Sequence, residues 1–597
     1  RTIDGKVWKL GDIIYSSPTP VGTPNENYDR LYRDISYTNF YRTYKDRRTV
    51  VYAGANDGML HAFNGGKYNA LTGQYETGGV YAPINKELAL GDELWGFIPK
   101  QLLPHLKWLT DSNYTHVYYV DLKPKVTDVR IFCDAANSSA DCTNGQSNVL
   151  HPEGWGTILI GGMRLGGKQI SAEINGTNET FYPAYFALDI TNPEKPPKLL
   201  WTFTDRDSDG DGVPDLGLGL TTSYPAVARL KTDAKDLWVM IVGSGPTDFD
   251  AGSNVSSDRT GRVFAVDLKT GSLLKSFDTG IGNAFMTDPI AVDVNLDYKV
   301  DVAYIGEAYD PGTGYNQLSG NMYRLVTKNS TDVFNEWKLS TLISPSGNKP
   351  VTSAPSAALD GKGNMWVFFG TGKFIGSDDK VSNDAQAFYG VKEICKPWKD
   401  YACTTAVPET DLLDVSGVTV DIGATDITAS GTTISDSTCG DPIATEWCDL
   451  LNAVDAKNGW IINFPSVPGH ESLFGERSFI KPVVLGGLVI FTSYVPEEDI
   501  CSNSQGSGYL WAVYYETGTA YKDYVFANEI ASKPATVGRE QQLAGEGFAS
   551  VNATVTRGGA LKALAQTSLG NIPGIEIKTP FSLQSAIVGF KTGACRE

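Results

Sequence analysis

A two-strand pattern recurs along the chain. An apolar run ends in glycine or another small residue, a loop follows, and a second apolar run ends near Asp or Lys. The first copy is residues 50–64, and the later copies begin near residues 157, 237, 302, 365 and 487. Strand pairs of this kind cannot bury both faces alone, so repeated copies must stack on one another. The pattern therefore predicts an all-β fold, a modified β-propeller.

The spacing of the copies bears on the expected blade count. The shortest intervals, from 237 to 302 and from 302 to 365, exceed the roughly 40 to 50 residues of a minimal propeller repeat, and insertions account for the excess. We expect about seven blades in a single domain spanning residues 1–597, with insertions at 65–115 and 394–475. The seventh blade is expected to combine residues 116–129 with C-terminal strands such as 574–580. A tandem array of β-sandwiches is the alternative.

Composition agrees with short strands and many turns. The 63 Gly and 30 Pro leave few helical candidates, namely residues 92–109 and 525–533. The net charge of −19 disfavours nucleic acid as a partner and favours divalent cations or basic partners. Acidity that serves only solubility is the simpler explanation of that charge. We expect no membrane span, because no run of about 18 apolar residues is present.

Eight cysteines at short intervals indicate disulfides and an oxidising compartment. No C-x-x-C motif occurs, which disfavours a zinc ribbon or a c-type haem site. The chain opens on Arg1 without a visible signal peptide, so we expect a processed, exported product. Many pairings are formally possible. The expected local pairs are Cys133–Cys142, Cys395–Cys403 and Cys439–Cys448, which leaves Cys501 and Cys595.

The strongest chemical signal is the acidic loop at residues 207–215. Oxygen-bearing side chains fall at loop positions 1, 3, 5 and 9, position 7 offers a main-chain carbonyl, and glycine at position 6 permits a sharp turn. Calcium binds about six to eight such oxygens, and this spacing wraps one chain around one ion. A solvated acidic turn is the alternative. The predicted ligands are Asp207, Asp209, Asp211, Val213 and Asp215.

A second loop, at residues 293–301, repeats the spacing with three carboxylates and one amide. Tyr298 stands where the turn glycine is expected, so we expect a strained or different backbone there. Apolar stretches on both sides predict a site carried by a β-hairpin, with an acidic turn again as the alternative. The two loops together predict one or two calcium ions. The predicted ligands here are Asp293, Asn295, Asp297, the main-chain oxygen of Lys299, and Asp301.

No catalytic or organic-cofactor site is predicted. The five histidines lie outside recognisable motifs, and no G-x-S-x-G nucleophile elbow is present. The glycine turns at 243–245 and 370–372 are not followed by helical sequence, which disfavours phosphate binding there. Two alternatives to a non-enzymatic protein stay open: a calcium-containing, quinoprotein-like propeller oxidoreductase and a surface lectin or adhesin.

Residues 48–64, which read RTVVYAGANDGMLHAFN, resemble the signature of the PilY/PilC-type type IV pilus tip-associated proteins. The segments at 8–18, 201–205, 291–306 and 320–324 are similar to the lead-in and blades of that family's C-terminal propeller. The resemblance covers roughly residues 5–395 and 476–515. The family's calcium loop matches residues 293–301, whereas the loop 207–215 departs from the family pattern as an insertion. We expect this chain to be a processed C-terminal product without the family's large N-terminal region, which often contains a von Willebrand A-like domain.

The resemblance implies a function at the cell surface. It implies a non-enzymatic, calcium-binding extracellular propeller that acts in pilus assembly, retraction control and adhesion, with calcium occupancy opposing retraction. The implied partners are minor pilins or the pilus tip complex, together with a host or abiotic surface.

Overall fold

Antiparallel sheets follow one another along the chain in the computed structural model, which describes residues 2–3, 6–7, 10–132, 150–231, 236–249, 254–314, 317–421, 428–429, 432–433, 445–473, 475–496, 506–532, 534, 536–543, 550–555, 561–566, 572 and 574–581. Among these residues, six sheets contain at least four strands and form blades 1–6 in chain order. A three-stranded sheet follows them.

The four main strands of each of the first three blades follow in chain order, with short strands of the connections between some of them. Blade 1 contains Thr19–Val21, Thr49–Gly54, Leu60–Asn69 and Glu93–Phe97. Blade 2 contains Lys125–Arg130, Trp155–Gly162, Ala184–Asp189 and Lys198–Thr204. Blade 3 contains Ala226–Lys231, Asp236–Gly243, Arg262–Asp267 and Leu273–Asp278.

Blades 4 and 5 each carry an additional strand, whereas blade 6 has four. Blade 4 contains Ile290–Val292, Val302–Tyr309, Ser319–Val326 and Lys338–Ile343, with Ala284–Met286 also paired to its second strand. Blade 5 contains Ser356–Leu359, Met365–Gly370, Ala387–Lys392 and Gly459–Asn463, extended by the parallel strand Leu413–Asp414. Blade 6 contains Val483–Leu485, Leu488–Val495, Ser507–Tyr514 and Glu540–Leu543. The three-stranded sheet contains Ser550–Val555, Leu561–Gln566 and Gly574–Ile577.

Short hairpins and helices occupy the connections. The remaining strands are Thr2–Ile3, Lys6–Val7, Gln74–Glu76, Val80–Tyr81, Lys86–Glu87, Ile170–Ile174, Thr177–Phe181, Asp248–Phe249, Val255–Ser256, Val420–Asp421, Thr428–Ala429, Thr432–Thr433 and Thr536–Val537. The α-helices are Tyr28–Leu31, Ile35–Tyr44, Val333–Glu336, Thr445–Asp455 and Ala527–Ser532. The 3-10 helices are Ala82–Ile84, Lys100–Thr110, Pro152–Gly154, Ser377–Lys380, Glu409–Asp411 and Phe464–Ser466. No helix among the described residues combines the length and apolar character needed to cross a membrane.

Apolar clusters join each blade to the next. One cluster combines residues of blades 1 and 2, another those of blades 2 and 3, and the series continues to the three-stranded sheet after blade 6. The second strand of blade 5, Met365–Gly370, is buried along its whole length, as expected for a strand covered on both faces. Between blades 5 and 6, the rings of Phe388 and Phe491 stack with their centroids 3.7 Å apart. The stacking predicted from the sequence repeats is therefore confirmed.

Glycine ends several second strands because the next blade approaches there. A Cβ atom on Gly243 of blade 3 would lie 2.2 Å from the Cβ of Met286 in blade 4. A Cβ atom on Gly370 of blade 5 would lie 2.3 Å from the carbonyl oxygen of Ser478, which precedes blade 6. No side chain fits at either point, which gives the apolar-strand-then-glycine pattern its physical cause.

The first strands of blades 3 to 6 converge on a common space, here called the axial cavity, of about 480 Å³. This is the arrangement of a propeller, in which the inner strand of every blade faces the axis. The N-terminal helix Tyr28–Leu31 and the loop 293–301 complete the wall. Its lining residues are Tyr28, Tyr32, Val227, Arg229, Trp238, Ile290, Ala291, Val292, Asp293, Tyr298, Lys299, Val300, Ser356, Ala357, Lys481 and Val484.

The predicted composition of the seventh blade is wrong. Residues 116–129 do not pair with the C-terminal strands, because Lys125–Arg130 is the first strand of blade 2 and pairs with Trp155–Gly162. Gly574–Ile577 pairs instead with Leu561–Gln566 in the three-stranded sheet. Strand pairing across a long connection carries no local signal in the sequence, which explains the error.

The helix predicted at 92–109 is also wrong. Glu93–Phe97 is the fourth strand of blade 1, and Lys100–Thr110 is a 3-10 helix with Pro104 inside it. Proline removes a main-chain donor, which disfavours a regular α-helix there. The second candidate, 525–533, contains the α-helix Ala527–Ser532.

The two expected insertions contribute strands to the blades. Glu93–Phe97 lies within 65–115 and completes blade 1, while Gly459–Asn463 lies within 394–475 and is the fourth strand of blade 5. Cys395 and Cys403 form the predicted disulfide. The other two expected pairs involve residues outside the described part of the chain.

We expect the stacking of Phe388 on Phe491 to be a major contributor to the cohesion of blades 5 and 6. Phe388→Ala should lower the free energy of unfolding by about 3–5 kcal/mol, because it removes a fully buried ring and leaves a cavity. Phe334→Ala is the matched control, since that ring is 69% exposed. Urea denaturation followed by near-UV circular dichroism measures both, and equal midpoints for the two variants would contradict the prediction.

Candidate metal centres

The two acidic loops lie at different places on the blades. The loop 207–215 belongs to the connection from the last strand of blade 2 to the first strand of blade 3. The loop 293–301 joins the first two strands of blade 4, Ile290–Val292 and Val302–Tyr309, which pair antiparallel. The first loop is therefore part of a crossover between blades, whereas the second is the tip of a hairpin beside the axial cavity.

In the loop 207–215 the main chain curls around the acidic side chains. Asp207 at position 1 accepts hydrogen bonds from the N–H groups of Gly210 at 2.7 Å and Gly212 at 2.9 Å. The carboxylates at positions 3 and 5 each accept from the N–H group two residues further on, at 3.3 and 2.7 Å. Asp215 at position 9 accepts from the N–H group of Ser208 at 3.3 Å.

The loop 293–301 repeats this arrangement. Asp293 at position 1 accepts from the N–H groups of Asp297 at 3.1 Å and Tyr298 at 2.8 Å. Asn295 and Asp297 each accept from the N–H group two residues further on, at 2.9 and 3.0 Å. Asp301 at position 9 accepts from the N–H group at position 2, at 2.7 Å. Four hydrogen bonds therefore recur in both loops. The N–H group at position 6 donates to the side chain at position 1, position 5 donates to position 3, position 7 to position 5, and position 2 to position 9.

The backbone at position 6 is left-handed in both loops. Gly212 has φ of 84°, and Tyr298 has φ of 74°. A tyrosine in this conformation is strained, and surrounding contacts must hold it there. The ring of Tyr298 stacks on Tyr32 with centroids 3.9 Å apart, and the guanidinium of Arg229 lies 3.7 Å from its centroid. The strain expected from the missing glycine is thus present and is offset by contacts outside the loop.

Asp301 is fully buried, and one of its oxygens has no partner. Its Oδ2 accepts from Val294, but Oδ1 makes no hydrogen bond among the described residues. Burial raises the pKa of Asp301 to about 6, and repulsion from Asp293 and Asp297 acts in the same direction. The nearby Asn329 side chain favours the ionised form without reaching hydrogen-bonding geometry. A buried carboxylate oxygen without a partner is costly, and a bound cation would satisfy it.

The loop 207–215 is more exposed and brings its carboxylates closer together. Asp207, Asp209 and Asp215 each offer an oxygen within 4.8 Å of the others and could together hold a metal ion. No other group of three such side chains among the described residues meets that spacing. The carboxylates of the loop 293–301 therefore stand further apart. Hydrogen bonds from Ser208 lower the pKa of Asp215. The shared hydrogen-bond pattern reflects the backbone of both loops, whereas the spacing of the carboxylates can change because side chains reorient on binding more readily than a backbone does.

The residues at position 7 of the two loops differ in their surroundings. Val213 at position 7 is 49% exposed, and its N–H group donates to Asp211. Lys299 at position 7 of the second loop lines the axial cavity, with its Nζ 3.7 Å from Asp297 Oδ2. Asp34 caps the helix Ile35–Tyr44, where its carboxylate accepts hydrogen bonds from the main-chain N–H groups of Ser36 and Tyr37.

One supporting residue was missed by the sequence reasoning. Asp205 is buried, and its carboxylate accepts from the N–H groups of Leu216 and Leu218, both at 2.9 Å. It therefore closes the base of the loop 207–215 from outside the nine-residue pattern. The sequence signal that could have identified Asp205 is its position, just after the apolar strand Lys198–Thr204 and just before the acidic loop.

Comparison with known proteins places this architecture in one family. The family model described as the PilY1 beta-propeller domain matches residues 10–405, about two-thirds of the chain. A crystal structure of the Pseudomonas aeruginosa PilY1 C-terminal domain superposes with a TM-score of 0.58 at 21% identity, covering 94% of this chain and 99% of that chain. That likeness shows the fold.

Curated relatives carry the same family name. A type IV pilus biogenesis factor PilY1 homolog of Xylella fastidiosa is 27% identical over 533 residues, covering 87% of this chain and 33% of that protein. The type IV pilus biogenesis factor PilY1 of Pseudomonas aeruginosa is 27% identical over 547 residues, covering 83% of this chain and 38% of that protein. The chain thus spans about a third of the length of the relatives that it matches. On the extent of the family-model match, the chain belongs to the PilY1 β-propeller family.

Proposed function

We propose that this chain is the calcium-binding, extracellular propeller of a type IV pilus biogenesis factor and acts without catalysis in pilus assembly, retraction control and adhesion. The observation that carries the calcium assignment is the buried, unpartnered Oδ1 of Asp301 within a loop already curled around its own oxygens. The names of the relatives supply the connection to the pilus.

The donor set favours calcium among common cations. Both loops offer carboxylate and main-chain oxygens, and the loop 293–301 adds the amide oxygen of Asn295. Neither loop contains cysteine or histidine, so soft or borderline metals lack their preferred ligands. Calcium tolerates irregular geometry better than magnesium does, which suits the loop 293–301, where Asp301 is fully buried and the other ligands are half-buried or exposed. The proposed ligands are Asp207, Asp209, Asp211, Val213 and Asp215 in one loop, and Asp293, Asn295, Asp297, Lys299 and Asp301 in the other.

The two sites would have different consequences. The loop 207–215 is exposed, so a bound cation would mainly stiffen the crossover between blades 2 and 3. The loop 293–301 lines the axial cavity beside the helix Tyr28–Leu31, and Tyr32, which follows that helix, stacks on Tyr298. Any rearrangement of that loop on binding would reach several blades. We therefore propose that this second loop is the regulatory site.

The proposed partners are minor pilins or the pilus tip complex, with a host or abiotic surface as a further contact. The location that fits these partners is the cell exterior, associated with the pilus. The Cys395–Cys403 disulfide supports an oxidising compartment.

Calcium stoichiometry tests both loops. We expect isothermal titration calorimetry to give two sites in the wild-type protein and one in each of Asp209→Ala and Asp297→Ala, because each substitution removes a ligand from a different loop. Asp46→Asn is the control, since that side chain is 86% exposed and far from both patterns in sequence. Unchanged calcium stoichiometry in both alanine variants would contradict the assignment of the two loops as calcium sites.

Asp301→Asn should change stability with opposite sign in chelator and in calcium. At pH 8 in EGTA the substitution should raise the free energy of unfolding by about 1–3 kcal/mol, because it removes a buried carboxylate whose pKa burial raises. In calcium it should lower stability, because binding to the native state is lost. Thermal unfolding of both proteins in both buffers measures this, and a change of the same sign in both buffers would contradict it.

The metal-free wild-type protein should also lose stability as the pH rises from 3.8 towards about 6. In that window the unfolded carboxyl of Asp301 is ionised while the folded one keeps its proton, so the native state binds more protons and stability falls with pH. Asp301→Asn should remove this part of the pH dependence. If the stability of the variant depends on pH in the same way as that of wild type, another group is responsible for the pH dependence.

Binding to pili tests the proposed partner. We expect the purified chain to cosediment with sheared type IV pili that carry minor pilins in calcium, and to do so several-fold less in EGTA. Asp297→Ala should cosediment weakly in both calcium and EGTA, while Asp46→Asn should cosediment as wild type does in each buffer. Equal cosedimentation of wild type and Asp297→Ala in calcium would argue against a regulatory role for the second loop.

A further inference from the structure

A lysine, an asparagine side chain and an aspartate meet at a point outside both acidic loops. Lys373 Nζ donates a hydrogen bond to Asn254 Oδ1 at 3.1 Å and contacts Asp379 Oδ1. Lys373 is 4% exposed and Asp379 is 1% exposed, while Asn254 is half-buried. A primary amine therefore lies beside both a carboxylate and a carboxamide, largely shielded from water.

The three residues come from distant parts of the chain. Asn254 lies in the connection between the second and third strands of blade 3. Lys373 and Asp379 lie in the corresponding connection of blade 5. Asn254 and Lys373 are 119 residues apart, and the whole of blade 4 lies between them in the sequence. The contact thus joins two blades that do not follow one another directly.

The connection in blade 5 fixes the amine and the carboxylate relative to each other. Asp379 Oδ2 accepts hydrogen bonds from the N–H groups of Ile375 at 2.7 Å and Gly376 at 3.0 Å, which leaves Oδ1 for the amine. The buried Arg477 donates from Nη1 to the main-chain oxygens of Lys373 at 3.0 Å and Asp379 at 2.8 Å. Groups held in this way lose little freedom when they react.

Apolar side chains flank the group on both segments. Val255, next to Asn254, and Ile375, close to Lys373, belong to one apolar cluster. The other members of that cluster are Leu165, Phe249, Phe285, Ala308 and Leu318. An apolar surrounding disfavours separated charges, so transfer of a proton from the ammonium to the carboxylate costs less free energy here than in water. The neutral amine that results is the nucleophilic form of lysine.

We propose that Lys373 and Asn254 form an isopeptide bond, with Asp379 as the residue that transfers the protons. The Asp379 carboxylate takes a proton from the ammonium, and the neutral amine attacks Asn254 Cγ. Asp379 then gives its proton to Nδ2 and accepts one from Nζ as the Cγ–Nδ2 bond breaks. Nζ is left in a secondary amide with Cγ, and one ammonia departs. The reaction consumes no oxidant, reductant or other reactant.

The bond would be a covalent link between blades 3 and 5. It closes a loop that contains all of blade 4, so it restricts the unfolded chain far more than the folded one and favours the folded state. Neither acidic loop takes part, and the proposal is independent of calcium binding.

The test is mass spectrometry of the purified whole chain, first intact and then as tryptic peptides, after denaturation and reduction of disulfides. We expect a branched peptide that joins residues 236–259 to residues 363–380, because trypsin does not cleave after a lysine whose amine is acylated. We also expect the intact mass to be lower than the sequence mass by one ammonia.

Variants assign the bond to these residues. Asn254→Ala keeps the contact between Lys373 and Asp379 and should lose the branched peptide. Lys373→Arg keeps the positive charge and should lose it too. Lys362→Arg is the matched control, because Lys362 also contacts an aspartate but is 56% exposed, and this variant should retain the branched peptide. Asp379→Ala, which keeps both bond partners, should slow bond formation by about a hundredfold.

Absence of the branched peptide from folded wild-type protein after prolonged incubation would overturn the proposal. Loss of one ammonia without that peptide would also count against it, because an asparagine elsewhere can lose ammonia by forming a succinimide. Near-UV circular dichroism verifies the fold of each variant, and Asn254→Ala alters only a half-buried side chain, so a folded comparison is expected. Bond formation in Asp379→Ala at the wild-type rate would overturn the role of Asp379.

Discussion

The blades of this protein bury apolar side chains mainly against the neighbouring blades. Burial of the paired surfaces is the main favourable contribution to folding, and it requires that successive sheets lie face to face. The strand Met365–Gly370, buried along its whole length, and the stacked rings of Phe388 and Phe491 between blades 5 and 6 show the result. The same constraint places glycine where the next blade crosses, as at Gly243 and Gly370. The loops at the ends of the blades are not part of this packing, so their residues can serve other functions.

The acidic loops use that freedom in two ways. The loop 207–215 projects from a crossover and holds its carboxylates close together at the surface. The loop 293–301 is tied into the molecule, with Tyr298 packed between Tyr32 and Arg229 and with Asp301 buried beneath it. Stacking contacts therefore maintain a strained turn that an isolated peptide would not keep. A free-energy cost remains, because the buried Asp301 Oδ1 has no hydrogen-bond partner among the described residues, and a bound cation would reduce that cost.

Local features could be predicted from the sequence, and non-local ones could not. The strand pairs, the nine-residue loop spacing and the Cys395–Cys403 disulfide all depend on residues close together in the chain, and the structure contains them. The partner of Lys125–Arg130 lies across a long connection, so its assignment to the seventh blade failed. The strain at Tyr298 was predictable, but its support by Tyr32 was not, because 266 residues separate the two rings. The axial cavity is likewise lined by residues of several blades at once.

The central claim is that the loop 293–301 binds calcium through a ligand set that includes the buried carboxylate of Asp301. The most direct measurement is a crystal structure of the calcium-loaded protein with anomalous difference data collected at long wavelength. The account predicts a peak bonded to Asp293, Asn295, Asp297, the Lys299 carbonyl and Asp301, with Asp301 Oδ1 within about 2.3–2.6 Å of the ion. Absence of a peak at this loop in calcium-saturated crystals, with Asp301 Oδ1 hydrogen-bonded to water or to Asn329 instead, would contradict it.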